Sequence, residues 1–205
     1  MKEFWNGRYE SSEYAYGTEP NKYFKEILNN YNLEGKILLP GEGEGRNAVY
    51  AAKKGLNVFA FDISIEGKKK ALKLADKEKV SITYEVGDFL QMSLTNNSFD
   101  VAAMIFAHFP PNIISIYHKK IAELVKPDGI IILEGFSKGH FDLQQRNPNA
   151  GGPKNVDLLF SIHQIKTDFS NFEILELAEK EIELKEGEFH KGKARVIRFC
   201  GRKKV

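Results

Sequence analysis

Apolar residues along this chain follow two alternating patterns. From about residue 34 onward, short and nearly continuous apolar runs of strand length are separated by longer segments whose apolar positions repeat with helical spacing. Lys36 to Pro40 (KILLP), Asn57 to Asp62 (NVFAFD), Ser81 to Val86, Phe99 to Phe106 (FDVAAMIF) and Gly129 to Phe136 (GIIILEGF) read as five strands. Arg46 to Lys54, Ile65 to Lys77 and Ile113 to Val125 read as helices between them. Alternation of this kind requires crossover connections and predicts a parallel sheet covered on both faces. The fourth and fifth runs, apolar and β-branched almost throughout, belong at its centre.

The two ends of the chain differ from this middle. Lys154 to Phe169 predicts one more helix, and Phe172 to Leu184 and Ala194 to Gly201 predict two strands joined by a turn around Gly187 to Gly192. Partial alternation through Ile174, Glu176, Glu179, Glu181 and Glu183 marks an edge strand with one wet face, so the acidic stretch Glu173 to Glu188 reads as solvated. Residues 1–33 are rich in aromatics (Trp5, Tyr9, Tyr14, Tyr16, Tyr23, Phe24, Tyr31), with a short helix over Asn21 to Asn30 after Pro20. This segment is either a flap over the sheet edge or a lid over a ligand held by the domain at 34–205. The polar, glycine-rich Phe141 to Pro153 likewise reads as a surface loop or an acceptor lid.

Composition narrows the classes of function. The chain has 205 residues, 42% hydrophobic and 28% charged, with a formal charge of +2, which suits one globular domain and lacks the basic excess of a nucleic-acid binder. Lys68 to Lys70 and Lys203 to Lys204 read as solvated surface. Cys200 is the only cysteine and lies in an apolar run, so it reads as a buried strand residue; neither an internal disulfide nor a thiolate metal cluster is expected. The N-terminus lacks the apolar core of a signal peptide, and no run reaches the roughly 18 apolar residues of a membrane span, so a cytoplasmic location is expected.

The chemistry concentrates between the first strand and the first helix, in Leu39-Pro40-Gly41-Glu42-Gly43-Glu44-Gly45-Arg46-Asn47. Glycines there permit a tight turn and let a ligand approach the main chain. The dinucleotide fingerprint needs glycine at position 46, where this chain has Arg46. Glu42 and Glu44 would repel a pyrophosphate but suit the sulfonium and ammonium of S-adenosylmethionine (SAM), with Arg46 available to neutralise one of the acids. Asp62, 21 residues after Gly41 and followed by Ile63, ends the second strand, where an acid can accept both ribose hydroxyls. Asp88 and Phe89 follow the third strand, where the acid can accept from an adenine amino group and the ring offers an apolar face. Each aspartate alone reads equally well as a cap or turn residue. Together the three loops line one crevice at the C-terminal ends of the strands.

GEGEGRNAVYAAKKG, FAFDIS, GDF, SFDVAAMIF and LVKPDGIIILEGF resemble, in order, the motifs of class I SAM-dependent methyltransferases, over roughly residues 34 to 136. The aromatic start (FWNGRY, then YGTEPN) and the Leu-Pro before the glycine loop are similar to the tellurite-resistance and thiopurine-type small-molecule enzymes. The resemblance implies a Rossmann-like, doubly wound α/β fold with a mostly parallel seven-stranded sheet ending in an antiparallel strand pair. It implies SAM as cofactor, with Gly41, Gly43 and Gly45 in the cofactor loop, Asp62 at the ribose, and Asp88 with Phe89 at the adenine; Ile63 is a further candidate cofactor contact. One departure is Leu39, where the family often has an acid that helps hold the methionine ammonium; Glu42 or the Pro40 carbonyl is the candidate replacement.

Acceptors in this fold lie beyond the fourth and fifth strands. His108, in AHFPP, is either a general base or a pocket-wall histidine. Trp5, Tyr16 and Arg146 are candidate substrate contacts, Arg146 for an anionic acceptor, while His190 and Arg195 flank the terminal hairpin. The Asn-Pro-Pro-Tyr type of motif is absent and no recognition domain is attached, which favours a small-molecule acceptor, a tellurite or selenite oxyanion or a thiol, over nucleic acid, protein or membrane. Three other readings share these residues: a SAM-binding regulator without turnover, a dehydrogenase, and an RNA-directed methyltransferase.

Overall fold

The computed structural model describes residues 1–205, apart from the side chain of Pro148. Seven strands, β1 (Lys36–Pro40), β2 (Asn57–Asp62), β3 (Thr83–Val86), β4 (Phe99–Ile105), β5 (Val125–Phe136), β6 (Phe172–Glu186) and β7 (His190–Lys203), form one sheet in the order β3-β2-β1-β4-β5-β7-β6. The first five pair in parallel, and β7 runs antiparallel to both β5 and β6. This is the Rossmann-like, mostly parallel seven-stranded architecture with a terminal antiparallel pair that the motifs lead one to expect.

Alternate residues of the central strands enter different cores. Ala102 and Met104 of β4 with Ile131 and Leu133 of β5 face the cluster built by α5 (Ile114–Leu124) and α7 (Ile162–Asp168). Val101, Ala103, Ile130 and Ile132 face the opposite cluster, closed by α2 (Lys22–Asn30), α3 (Arg46–Lys53) and α4 (Ile65–Lys77). Both faces being dry explains why these strands read as unbroken apolar runs. Cys200 is buried among the second set.

Several expectations change. Lys154 to Phe169 is not one helix: Val156–Leu158 is a single 3-10 turn, Phe160 bridges Ser137 as extended chain, and α7 starts after Ser161, whose hydroxyl accepts from Gln164 N at 3.2 Å. Burial of Leu159 and Phe160 in extended form overrides the helical spacing. Within Phe141 to Pro153 the chain forms α6 (His140–Arg146) rather than an irregular loop, anchored by buried His140 and Gln144. A first helix, α1 (Lys2–Tyr9), lies in the aromatic N-terminal segment and buries only Tyr9. The terminal strands run longer than expected, so their hairpin reaches beyond the sheet body to a tip at Gly187. Nor are all the paired lysines solvated: Lys70 is pulled in by Glu44, and Lys203 donates to the carbonyls of Ala122 and Val125 at 2.8 and 2.7 Å. Among the described residues no helix is long and apolar enough to cross a membrane.

Phe199, fully buried and stacked on Phe169 with ring centroids 5.1 Å apart, ties β7 to α7. Phe199→Ala is expected to lower stability by about 3–5 kcal/mol, read as a reduced urea midpoint with an unchanged slope.

Candidate active site

The loop joining β1 to α3 lies at the reversal of strand order, where β1 has β2 on one side and β4 on the other. Open α/β sheets form their ligand crevice at such a point. Gly41, Gly43 and Gly45 all have left-handed backbone, with φ of 63°, 64° and 87°. A Cβ on Gly45 would sit 2.5 Å from that of Ala71, so α4 packs against bare backbone there. The N-cap of α3 is Gly45, which has no side chain to satisfy the helix's first amides. Glu42 does so from within the loop, one carboxylate oxygen accepting from Asn47 N at 2.8 Å and Ala48 N at 2.7 Å. Desolvation outweighs these hydrogen bonds and pushes the Glu42 carboxyl up to about 7.

Asp62 braces the loop from β2. Its Oδ2 accepts from Gly43 N at 3.0 Å and its Oδ1 from Ser64 N at 2.9 Å, and burial raises its pKa. Ile63 follows, half-buried, and Ser64 caps α4 by accepting from Gly67 N at 3.1 Å. Asp88 caps the short 3-10 turn after β3 and accepts from the Tyr117 hydroxyl at 2.8 Å. Phe89 departs from expectation. Its ring is 1% exposed and stacks on Phe61 at 4.9 Å, so it is a core residue and presents no free face to an adenine. Glu44 and Arg46 also turn away from the crevice. Glu44 pairs with Lys70 and accepts from Tyr16 N at 3.4 Å, while Arg46 pairs at 2.9 Å with Glu186 of β6 rather than with an acid of its own loop. Leu39 is fully buried, so nothing polar occupies the position of the absent acid.

The N-terminal segment crosses this loop. Trp5 stacks on Tyr9 at 5.5 Å, and Asn6 accepts from the Ser64 hydroxyl at 2.7 Å. Tyr9 is 5% exposed, and its hydroxyl lies 2.7 Å from where a Cβ of Gly43 would stand. The Tyr16 ring lies 4.5 Å from that of His190.

At the exits of β4 and β5, Phe106 holds φ of 53°, a left-handed conformation that an aromatic residue adopts only under constraint. Its ring meets Phe136 at 4.7 Å and His190 at 4.6 Å. His108 does not have a general base's geometry: Nδ1 donates to Leu158 O at 2.8 Å and Nε2 accepts from Phe136 N at 3.1 Å. Stacked on Phe160 and desolvated, with its pKa lowered to about 4, it is a neutral wall residue with both nitrogens committed. Arg146 is exposed on the last turn of α6, and Arg195 faces Glu181 at 3.6 Å on the exposed side of the hairpin; neither joins the cluster around Phe106.

His190 does join it, together with residues that sequence reasoning missed. Glu186 accepts from Arg46 at 2.9 Å and from His190 Nδ1 at 3.0 Å; burial opposes its ionisation, but these partners hold its pKa down at about 2. Glu186 is thus a partly buried, paired anion and not part of a solvated strand face. Asn21 donates from one amide nitrogen to Glu134 at 2.7 Å and Glu186 at 3.1 Å, and Glu134 also accepts from Arg198 at 2.6 Å. The one signal in the sequence was a strand alternation that continues past Leu184 to Glu186.

The sequence comparisons agree with this geometry. Residues 37–129 match the model of a methyltransferase domain family. No curated protein matches the chain in sequence. Among solved structures, one determined in work on the conversion of a disulfide bond into a thioacetal group during echinomycin biosynthesis superposes with a TM-score of 0.79 at 17% identity, covering 100% of this chain and 92% of the other. TehB from Haemophilus influenzae gives 0.72 at 17% identity, over 99% of this chain and 67% of its own. Magnesium protoporphyrin IX methyltransferase from Synechocystis PCC 6803, solved with S-adenosylhomocysteine, gives 0.67 at 18% identity, over 88% and 80%. These likenesses establish the fold. Residues 37–129 are thus similar to a methyltransferase domain, set within a fold that the solved methyltransferases share.

Because the Glu42 carboxyl binds its proton more tightly in the folded protein than in the unfolded chain, its contribution to stability is full below its ordinary pKa and is lost as pH rises through about 7. Urea midpoints of the wild type are expected to fall relative to those of Glu42→Gln between pH 5 and pH 8.

Proposed function

We propose that this enzyme methylates a small molecule, in a pocket roofed by its own N-terminal segment. The observation that carries the reading is the contact between that segment and the hairpin tip: Glu188 N donates to Ala15 O at 3.0 Å, and Tyr16 packs on Phe189 and His190. A site closed by two parts of the same chain leaves little room for a folded macromolecule to present its own side chain or base.

The residues around the loop fit the cofactor. A pyrophosphate would need the first amides of α3, and Glu42 already occupies two of them. Glu42 is the candidate partner for the ammonium that Leu39 cannot hold, since a cation beside it would offset the burial that raises its pKa. Gly41, Gly43 and Gly45 would admit the cofactor against the main chain. Asp62 keeps acceptor capacity for the ribose beyond its two backbone bonds, Ile63 would pack beside it, and Asp88 would take the adenine amino group. SAM supplies an electrophilic methyl group; the chain's own residues orient it and exclude water.

With His108 committed on both nitrogens, an acceptor that arrives ionised fits best. A selenite or tellurite oxyanion or a thiolate needs alignment more than deprotonation. Tyr16 and Trp5 would be the aromatic contacts to the bound pair of substrates.

Calorimetric titration is expected to show binding of SAM and S-adenosylhomocysteine but not of NAD, with Asp62→Ala weakened at least about tenfold by loss of charge-assisted hydrogen bonds. Preferential NAD binding, or no SAM binding, would overturn the reading. Release of S-adenosylhomocysteine with selenite, tellurite or small thiols would then identify the acceptor, and no turnover with any small molecule would favour a regulator. Trp5 is the only tryptophan, so its fluorescence should change on cofactor saturation; an unchanged spectrum would remove the lid role from residues 1–33.

A further inference from the structure

Arg46 and Arg198, held inside the fold, each carry a carboxylate partner, at 2.9 and 2.6 Å. Arg8 is also partly buried, yet among the described residues no carboxylate lies within 4 Å of it. It is nonetheless fixed in place. Its guanidinium lies over the Phe189 ring at 3.8 Å and within 5.2 Å of the Phe4 ring, and its Nη1 donates to the Tyr16 hydroxyl at 3.3 Å. Stacking uses the flat face of a guanidinium and leaves its N–H edge free for the two-point hydrogen bonding that matches carboxylates and oxyanions. That charge borders a cleft of about 380 Å³ between α1 and the hairpin tip, lined also by Ser11, Tyr14 and Glu188. The cleft adjoins the cofactor loop: Tyr9, the next residue, covers Gly43, and Tyr16 reaches Glu44 through its backbone amide.

We propose that Arg8 is an anion-recognition residue and that this cleft receives a small, singly charged carboxylate or oxyanion during the reaction. The inference rests on the methyltransferase reading above. Two sources share the chemistry: the carboxylate of the cofactor's amino-acid end, or an anionic acceptor. Glu13 and Glu188 on the same walls select against polyanions such as nucleotide phosphates. Presentation of Arg8 by the roof, not by the sheet, means that the anion would draw α1 and the hairpin tip together as it binds.

The test compares wild type, Arg8→Leu and Arg8→Lys by calorimetry with three probes: SAM, decarboxylated SAM, and selenite added to protein saturated with S-adenosylhomocysteine. If the anion belongs to the cofactor, Arg8→Leu loses at least tenfold in affinity for SAM and none for decarboxylated SAM. If it belongs to the acceptor, SAM binding is unchanged and selenite binding weakens by the same factor. In both cases Arg8→Lys, which keeps the charge but not the fork, recovers part of the loss. Arg8→Leu binding all three probes as the wild type does, at an unchanged melting temperature, would overturn the anion role. Wild-type protein that binds selenite, in an Arg8-dependent way, but not SAM would overturn the functional reading and leave the anion site standing. Failure of wild type to bind any probe would overturn both.

Discussion

A tight glycine loop leaves backbone amides pointing into a crevice, and something must accept from them. In this protein the acceptors are the chain's own carboxylates: Glu42 takes the amides of Asn47 and Ala48 at the start of α3, and Asp62 takes those of Gly43 and Ser64. Much else depends on this arrangement. It holds three alternate glycines, Gly41, Gly43 and Gly45, in left-handed conformation, sets the entry of α3 without a capping side chain at Gly45, and lets α4 approach that glycine closely. It also gives the crevice its chemical character. A helix terminus whose first amides are filled by a carboxyl group of its own chain no longer attracts phosphate.

A second buried network carries this loop's position to the far end of the sheet. Arg46, the first residue of α3, pairs with Glu186 near the tip of β6; Glu186 also engages His190 and Asn21, and Asn21 donates to Glu134, which accepts from Arg198 as well. Burial raises the pKa of Glu134 despite its partners, whereas Arg46 and His190 hold that of Glu186 low. Buried ionic groups add little net stability, because desolvation offsets their attraction, but removing one partner strands another charge. Their consequence here is geometric. The glycine loop, the start of α2 and the overhanging hairpin are held in one relative placement, which keeps the aromatic wall of Phe106, Phe136 and His190 over the exits of β4 and β5. The left-handed backbone at Phe106 is a local cost that this surrounding network can sustain.

Periodicity alone located the parallel core closely, because a strand buried on both faces and a helix buried on one leave different marks over a few residues. Lys36–Pro40, Asn57–Asp62 and Ile65–Lys77 have the bounds that the pattern indicates. Helical spacing misled between Lys154 and Phe169, where two buried residues, Leu159 and Phe160, satisfy the same pattern as extended chain. Weak amphipathicity hid α1, whose burial rests on Tyr9 alone.

The same division holds at the site. Local sequence determined the glycine loop and the acids after β2 and β3, since each depends on residues adjacent in the chain and on a strand-to-helix turn that the pattern already implies. Tertiary structure alone decided which groups are free. Nothing local shows that both nitrogens of His108 are taken by the main chain at Leu158 and Phe136, that the Phe89 ring is spent on Phe61, or that Arg46 answers to Glu186 across 140 residues. Nor does the sequence place Arg8 over the Phe189 ring, with no carboxylate within 4 Å among the described residues. Those outcomes depend on which distant surfaces share one buried volume, and a buried polar group takes its properties from the partners folding brings within hydrogen-bonding reach, not from its neighbours along the chain.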